Sequence, residues 1–481
     1  MPNINQQFGA LGIAQVIVVL KSPAMPAPAV KRAESGGVRL TAASAQTPHL
    51  AGLEIYFESS ELSINHALAS AGSRNFAAKS HGRTSVRAEH KATPPAVLHF
   101  PNLGLMLGTV TREGLASLRK DERVEKVLSA PQLRLIRPVR VTAATLKTQV
   151  TWGITFLKAP KLWDQGLTGK GVRVGHLDTG ADGKHAALRK AIASFAEFDS
   201  FGQLVKPAPK AHDTDEHGTH TAATIAGRPV QGKSVGVAPG ADLISAIVIE
   251  GGNVIARILG GMDWAVSQKV RVLSLSLGIP SSPPMPEFDP ILRILRARNI
   301  LPVIAVGNEG PGTSRPPGNH TEPISVGAID KNKAVADFSS SQRFNRKLDP
   351  LVPDLVAPGV DIISAMPGGG FQSMDGSSMA TPHVAGLAAL LFEAKPSATI
   401  NDVEKAIYNS CSIATIPQER GNRGFPDAVR ALAALTGTNV ASPTKPRNAA
   451  APSRTQGARA PQAGKRRKTI KKKSASQRSK S

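Results

Sequence analysis

From Trp152 to about Leu435 the chain alternates short, nearly continuous apolar runs with stretches of helical spacing. The runs are Val172–Leu177, Leu243–Ile249, Val270–Leu277, Ile300–Val306 and Pro323–Ile329. Strands that bury both faces read this way, as they do in parallel sheets. Between two of these runs, Ile255, Ile258, Leu259, Met262, Ala265 and Val266 keep the spacing of one helix face. Strand–helix alternation of this kind predicts an α/β fold, a doubly wound and mostly parallel sheet. Sites in such sheets form just beyond the carboxyl ends of the strands.

The first 140 residues have a different rhythm. Gln15–Leu20 is rich in β-branched residues and reads as a buried strand. The apolar stretch around it also has the look of a secretory leader, but no Lys or Arg precedes it, so the strand reading is preferred. Leu103–Val110 is a second strand. Thr111 is placed to cap a short helix through Lys120 with Leu115 and Leu118 on one face, and Val124–Leu135 returns to strand character. A small α+β module over 1–140 follows, with a Pro/Ala/Ser-rich insertion near 22–50. Residues 141–439 form the α/β domain. Residues 440–481 contain little besides small, polar and basic residues and are expected to be a disordered tail.

Composition sharpens this division. The 481 residues are 41% hydrophobic and only 4% aromatic, which suits a small-residue α/β body. The single cysteine, Cys411, excludes an internal disulfide framework and reads as a small buried hydrophobe. No apolar run reaches the ~18 residues of a membrane-spanning helix. The net charge of +24 suggests a polyanion partner until it is located: the last 42 residues hold 13 Lys and Arg and no acidic residue. The tail, above all Lys465–Lys473, could bind nucleic acid or an anionic surface, with the rest of the chain serving only for processing. It has no interleaved aromatic residue for base stacking.

Three segments carry candidate chemistry. Asp178 follows the first buried run, in Asp178-Thr-Gly. His217 opens His217-Gly-Thr-His, and Ser378 lies in Gly376-Ser-Ser-Met-Ala-Thr-Pro-His-Val-Ala-Gly386. A serine hydroxyl attacks well only when a base removes its proton, a neutral imidazole can do so near pH 7, and a carboxylate fixes the imidazole tautomer. At a helix start, Ser378 also has backbone N–H groups facing developing negative charge. Asn308, just after the run that ends at Val306, offers an amide donor to the same oxyanion. Taken singly, Asp178 also suits a strand-end cap, Ser378 a helix cap and His220 a packed helix position.

The order Asp178…His217…Ser378, with Gly307-Asn-Glu-Gly310 between, resembles that of subtilisin-like serine proteases and not that of chymotrypsin-like proteases or α/β-hydrolases. The likeness runs from Trp152 through Phe338-Ser-Ser and Ala357-Pro-Gly to a final helix at 427–435. It implies a serine endopeptidase in which Asp178 orients, His217 is base and then acid, Ser378 attacks and Asn308 lines the oxyanion hole. Extended polypeptide substrates would pair with edges that include Gly251, Gly252, Ser276, Leu277 and Gly278. Ala305 and Gly307 would line the pocket for the residue before the cut bond (P1), and Glu309 at its rim would favour a basic P1. The N-terminal module resembles the family's inhibitory propeptide, implying a folding aid and inhibitor removed by self-cleavage near 136–151; a monomer is expected, and family habit favours export. No cofactor is expected. The loop after the His helix, where many relatives bind calcium, carries Arg228 and Lys233 and no carboxylate, while Asp213, Asp215 and Glu216 cluster before His217.

Overall fold

The computed structural model describes residues 4–21, 52–58, 95–280, 283–413 and 416–438. The basic tail and the 22–50 insertion lie outside the described residues.

Four strands open the chain: β1 (Ala14–Leu20), β2 (Val97–Phe100), β3 (Leu105–Val110) and β4 (Val124–Ser129), in the antiparallel order β2-β3-β1-β4. Alternation along β1 decides its two faces. Val16 and Val18 pack with Phe8 of helix α1 (Ile4–Leu11) and with Leu115 and Leu118 of helix α2 (Arg112–Lys120). Ile17 and Val19 point the other way, into a core shared with the larger domain. Thr111 caps α2 by accepting from Gly114 N–H at 3.1 Å. The strand reading of Gln15–Leu20 therefore holds. The run expected as one strand over 124–135 ends at Ser129 and resumes as the separate pair Arg134–Leu135 (β5), followed by β6 (Arg140–Ala144).

The main sheet contains β7 (Arg173–Asp178), β8 (Ile192–Glu197), β9 (Asp242–Ile247), β10 (Val272–Leu275), β12 (Leu301–Ala305), β13 (Ile324–Ile329) and β16 (Leu355–Pro358), in the order β16-β13-β12-β10-β7-β9-β8. Every pairing in it is parallel. The remaining strands are short: β11 (Leu277–Gly278) pairs with β5, β14 (Gln342–Arg343) with β15 (Leu351–Val352), and β18 (Phe371–Asp375) lies between β17 (Ile362–Ala365) and β6.

Alternate residues of the parallel strands feed two cores. Val174, Val272, Val303 and Val326 face helix α3 (His217–Ala226) and helix α6 (Ser377–Ala394), and Leu177, Leu273, Leu275 and Ile304 face α4 (Val254–Ser267) and α5 (Phe288–Ala297). α3 and α6 are buried along nearly their whole length, which accounts for their Ala, Gly and Thr content. The second core extends into Ile17, Val19, Phe100 and Leu105 of the N-terminal sheet, which covers α4 and α5. A polar anchor fixes that contact: Asp263 on α4 accepts from Asn102 N–H at 2.7 Å, Asn102 Nδ2 at 2.9 Å and Leu103 N–H at 3.1 Å. β7 sits where the winding reverses, with β9 and β8 on one side and β10, β12, β13 and β16 on the other. The carboxyl end of β7 is thus the crevice that such topology opens.

Candidate active site

Asp178 is the last residue of β7 and His217 the first of α3. Their approach depends on Gly218, where a Cβ would strike the Gly180 carbonyl oxygen and sit 2.9 Å from Thr179 Oγ1. With no side chain there, His217 Nδ1 donates to Asp178 Oδ1 at 2.7 Å, and both groups are buried. Asp178 Oδ1 also accepts from Thr179 N–H at 2.8 Å. Burial works to raise the Asp178 carboxyl, but the His217 charge and hydrogen bond outweigh it and hold it below the usual range. For His217, burial works to lower the imidazolium, while the Asp178 charge and hydrogen bond raise it above its ordinary value. His217 thus gains affinity for a proton through a fixed partner, as a general base requires.

Ser378 stands at the second position of α6. Asn308, beyond the end of β12, is tied to the same helix start, because its Oδ1 accepts from Ser377 N–H at 2.9 Å and from Ser377 Oγ at 2.8 Å. This leaves the Asn308 amide nitrogen free to donate toward the cleft.

The cleft itself holds a stretch of the same chain. β5 pairs antiparallel with β11, Leu135 opposite Leu277 and Arg134 opposite Gly278. Ile136 N–H donates to the Ser276 carbonyl at 3.0 Å, Ser378 Oγ donates to the Ile136 carbonyl at 2.7 Å, and Asn308 Nδ2 donates to the Arg137 carbonyl at 3.0 Å. Val139 N–H then donates to the Asp375 carbonyl at 2.8 Å, and β6 runs along β18. Arg137 pairs with Asp215 at 3.1 Å, and Arg140 grips Asp375 at 2.7 and 3.1 Å and also Asp361. The domain boundary expected at 140 falls within this strap.

Two consequences follow for chemistry. His217 Nε2, the nitrogen that would take the serine proton, is buried without a hydrogen-bond partner. Ser378 Oγ and Asn308 Nδ2 also hold consecutive carbonyls, Ile136 and Arg137, instead of one. A serine attack on the strap aided by an amide donor would need both groups on a single carbonyl.

Of the expected substrate edges, Ser276, Leu277 and Gly278 meet the strap directly. Gly251 and Gly252 lie in the turn leading into α4, outside that two-stranded pairing. Ala305 ends β12, and Gly307 follows it with φ of 122°. Glu309 differs from the expectation of a free acidic rim: Arg315 Nε contacts its carboxylate at 3.0 and 3.1 Å and Nη2 adds a further contact. That pairing removes the reason to expect a basic P1.

Asp213 spends its carboxylate on Thr179 Oγ1, Asp215 N–H and both donors of Thr219, and burial lifts its pKa to about 6. In the loop after α3, Arg228 donates to the carbonyls of Ala226, Lys190, Pro239 and Ala241, and Lys233 to that of Leu146. Arg228 and Lys233 thus place two positive charges against these carbonyl oxygens, which disfavours a cation beside them. Asp289, His320 and Glu322 gather within ligating reach, but His320 Nδ1 pairs with Asp289 at 2.8 Å and Nε2 accepts from Met285 N–H at 3.2 Å, so neither ring nitrogen is available.

Sequence reading missed His176, which lies 3.7 Å from Asp178 and bonds to Ser245 at 3.0 Å and Thr221 at 2.9 Å. Burial drives its pKa down to about 4, so it is a neutral prop for the Asp178 end of β7. Its place two residues before Asp178 on a strand was a usable signal. His220, expected to be a packed helix residue, is buried with Nε2 on the Ile362 carbonyl at 2.8 Å.

A model described as "Subtilase family" matches residues 169–458. An intracellular serine protease of Paenibacillus polymyxa is 38% identical over 277 residues, which is 56% of this chain and 81% of that protein. A thermostable alkaline protease of Halalkalibacterium halodurans is 33% identical over 331 residues, 68% of this chain and 83% of its own length. Subtilisin Savinase of Lederbergia lenta is 37% identical over 265 residues, 55% of this chain and 91% of its own. Among the described residues no helix is long and apolar enough to cross a membrane.

Proposed function

Because this chain belongs to the subtilase family and is a serine endopeptidase acting on polypeptides, we propose that it is made as a self-inhibited precursor whose residues 133–144 occupy its own active site. Asp178 holds the His217 imidazole with Nε2 toward the cleft. His217 takes the Ser378 proton as the oxygen attacks, then gives it to the leaving amine. The Asn308 amide and the Ser378 N–H hold the oxyanion. The observation that carries the inhibited state is the strap hydrogen bond from Ser378 Oγ to the Ile136 carbonyl at 2.7 Å, beside Ile136 N–H on Ser276. It spends the nucleophile's proton on the strap and not on His217. The antiparallel pairing of β5 with β11 supports an extended mode of substrate binding, in which main-chain bonds give affinity and side-chain pockets give preference.

Activation then requires the strap to leave, by a cut within 136–151 after transient fluctuation brings one carbonyl onto both Ser378 and Asn308. The test is Ser378→Ala in the full chain. It should remain at full length and hydrolyse no casein, while the unsubstituted chain shortens and becomes active, with N-terminal sequencing locating the new end. Unchanged shortening of the variant in a protease-free preparation would overturn self-processing.

A further inference from the structure

Arg315 is 9% exposed and lies between two glycines that wall the cleft. A Cβ on Gly278 would stand 2.8 Å from Arg315 Cβ and 3.4 Å from its Cδ, and a Cβ on Gly307 would stand 3.1 Å from Arg315 Cγ. Gly278 belongs to the strand that pairs with the strap, and Gly307 immediately precedes Asn308. The two glycines therefore leave a slot that the arginine stem fills, anchored by its own N–H on the Val306 carbonyl at 2.9 Å. Gly278 stands opposite Arg134 of the strap, and Asn308, next to Gly307, holds the Arg137 carbonyl, so the slot lies alongside the strap between Arg134 and Arg137, where Ile136 meets Ser276 through its N–H and Ser378 through its carbonyl.

The guanidinium is divided. Nε and Nη2 face the Glu309 carboxylate, and Nη1 is buried with no hydrogen-bond partner while the strap is in place. Glu309 and Arg315 together are neutral, so the slot offers neither a free carboxylate nor a free positive charge. It offers one dry, unsatisfied donor. Leaving such a donor unpaired is costly, and a side chain that brings an acceptor oxygen recovers that cost.

We propose that Arg315 is the specificity-determining residue of the P1 pocket, selecting an uncharged side chain that ends in an acceptor oxygen, with glutamine the best fit. The reasoning rests on the proteolytic reading above. A P1 lysine or arginine would bring a second cation against the guanidinium. A P1 glutamate would leave a net negative charge in a buried site already balanced by Glu309. Methionine, close to glutamine in length, would cover Nη1 without pairing it.

The experiment compares kcat/KM for peptides that differ only at P1 (Gln, Met, Glu, Lys), using enzyme matured from the full chain. The expected order places Gln about tenfold above Met, the rough value of one buried donor gaining a partner, with Lys lowest. Arg315→Met should bring the Gln/Met ratio near one and raise Lys relative to Met by about tenfold, because Glu309 is then unpaired. Glu309→Gln, which keeps the guanidinium, should raise Glu relative to Gln. A wild-type enzyme that cuts after Lys better than after Gln overturns the proposal, as does an Arg315→Met profile identical to wild type. If Arg315→Met fails to fold, an unchanged Glu/Gln ratio in Glu309→Gln overturns it instead. Matured enzyme that cuts none of these peptides, nor casein, defeats the proteolytic reading itself.

Discussion

The strap should be measurable as a separate inhibitor, and Arg140 is the side chain to alter. A peptide spanning 131–146 can rebuild the β5–β11 pairing, the contacts at Ser378 and Asn308, and the β6–β18 ladder on matured enzyme. Arg140 adds a forked contact to Asp375, at 2.7 and 3.1 Å, and a contact to Asp361. The arginine side chain is 48% exposed and that of Asp361 53%, so solvent screens their attraction and this half contributes little. The Asp375 side chain is only 10% exposed, and its fork geometry is the stronger arrangement. A charged hydrogen-bonded contact of that kind contributes about 1.5–3 kcal/mol. Discounted for the half-exposed arginine, about 1–2 kcal/mol remains, or roughly a 5- to 30-fold rise in Ki for the peptide carrying Arg140→Ala. The assay is competitive inhibition of a chromogenic peptide at low and moderate salt, and the ratio should shrink as salt rises. Arg134→Ala in the same peptide is the control, since Arg134 has the same charge and no ion pair among the described residues. Equal Ki values for the unsubstituted and Arg140→Ala peptides, or an equal loss from the Arg134 control, would refute the claim that Asp375 and Asp361 hold the strap through this side chain.

Other expectations follow from the same geometry. Asn308→Ala should lower kcat by about 10²–10³-fold, the measured size of such a donor in a subtilisin, and should also loosen the strap, because Asn308 holds the Arg137 carbonyl; steady-state kinetics and peptide Ki separate the two effects. The base must be neutral, and the raised His217 pKa keeps it protonated to higher pH, so kcat/KM should fall on the acid side through an apparent pKa above the ordinary 6.5. Asp178→Asn, which removes the charge that raises it, should shift that limb downward as well as cutting the rate; an unshifted limb would mean that another group titrates. Arg228→Gln strips the carbonyl cluster after α3 of its guanidinium. For that partly buried group about 1–3 kcal/mol of stability should be lost, seen as a thermal midpoint lowered by about 2–8 °C.

The parallel sheet was legible because its strands bury both faces, and no other element writes five short apolar runs at such intervals. The helix from Val254 to Ser267 was legible through the helical spacing of Ile255, Ile258, Leu259, Met262 and Ala265, although the N-terminal sheet buries its other side as well, which that spacing did not foretell. The strap was not. Leu133–Val139 has the composition of a strand, but its partner is a two-residue edge some 140 positions away, and nothing in a local pattern identifies such a partner. The pairing of Glu309 with Arg315 was missed differently. Each residue was visible, but a loop six residues long can fold back or extend, and only its closure onto Val306 brings the guanidinium to the carboxylate. Local periodicity reports which face is buried; it does not report which loop returns to which strand end.

That limit bears on how such a chain can carry a peptide segment in its own cleft. On the proposed function the cleft binds extended backbone, and an inhibitor that used it would have to resemble substrate on its N-terminal side, as the β5–β11 pairing of Arg134–Ile136 does. Safety has to come from the next two residues. Pro138 has no N–H to donate and restrains Arg137 toward extended conformations. The strap therefore leaves the cleft along a line set by Pro138 and fixed again where Val139 N–H meets Asp375. With the chain pinned at Ser276 on one side and Asp375 on the other, the carbonyls of Ile136 and Arg137 share the duties that one scissile carbonyl would perform alone. Ser378 holds the first and Asn308 the second, so lowering the barrier to hydrolysis requires the strap to give up one of its own hydrogen bonds.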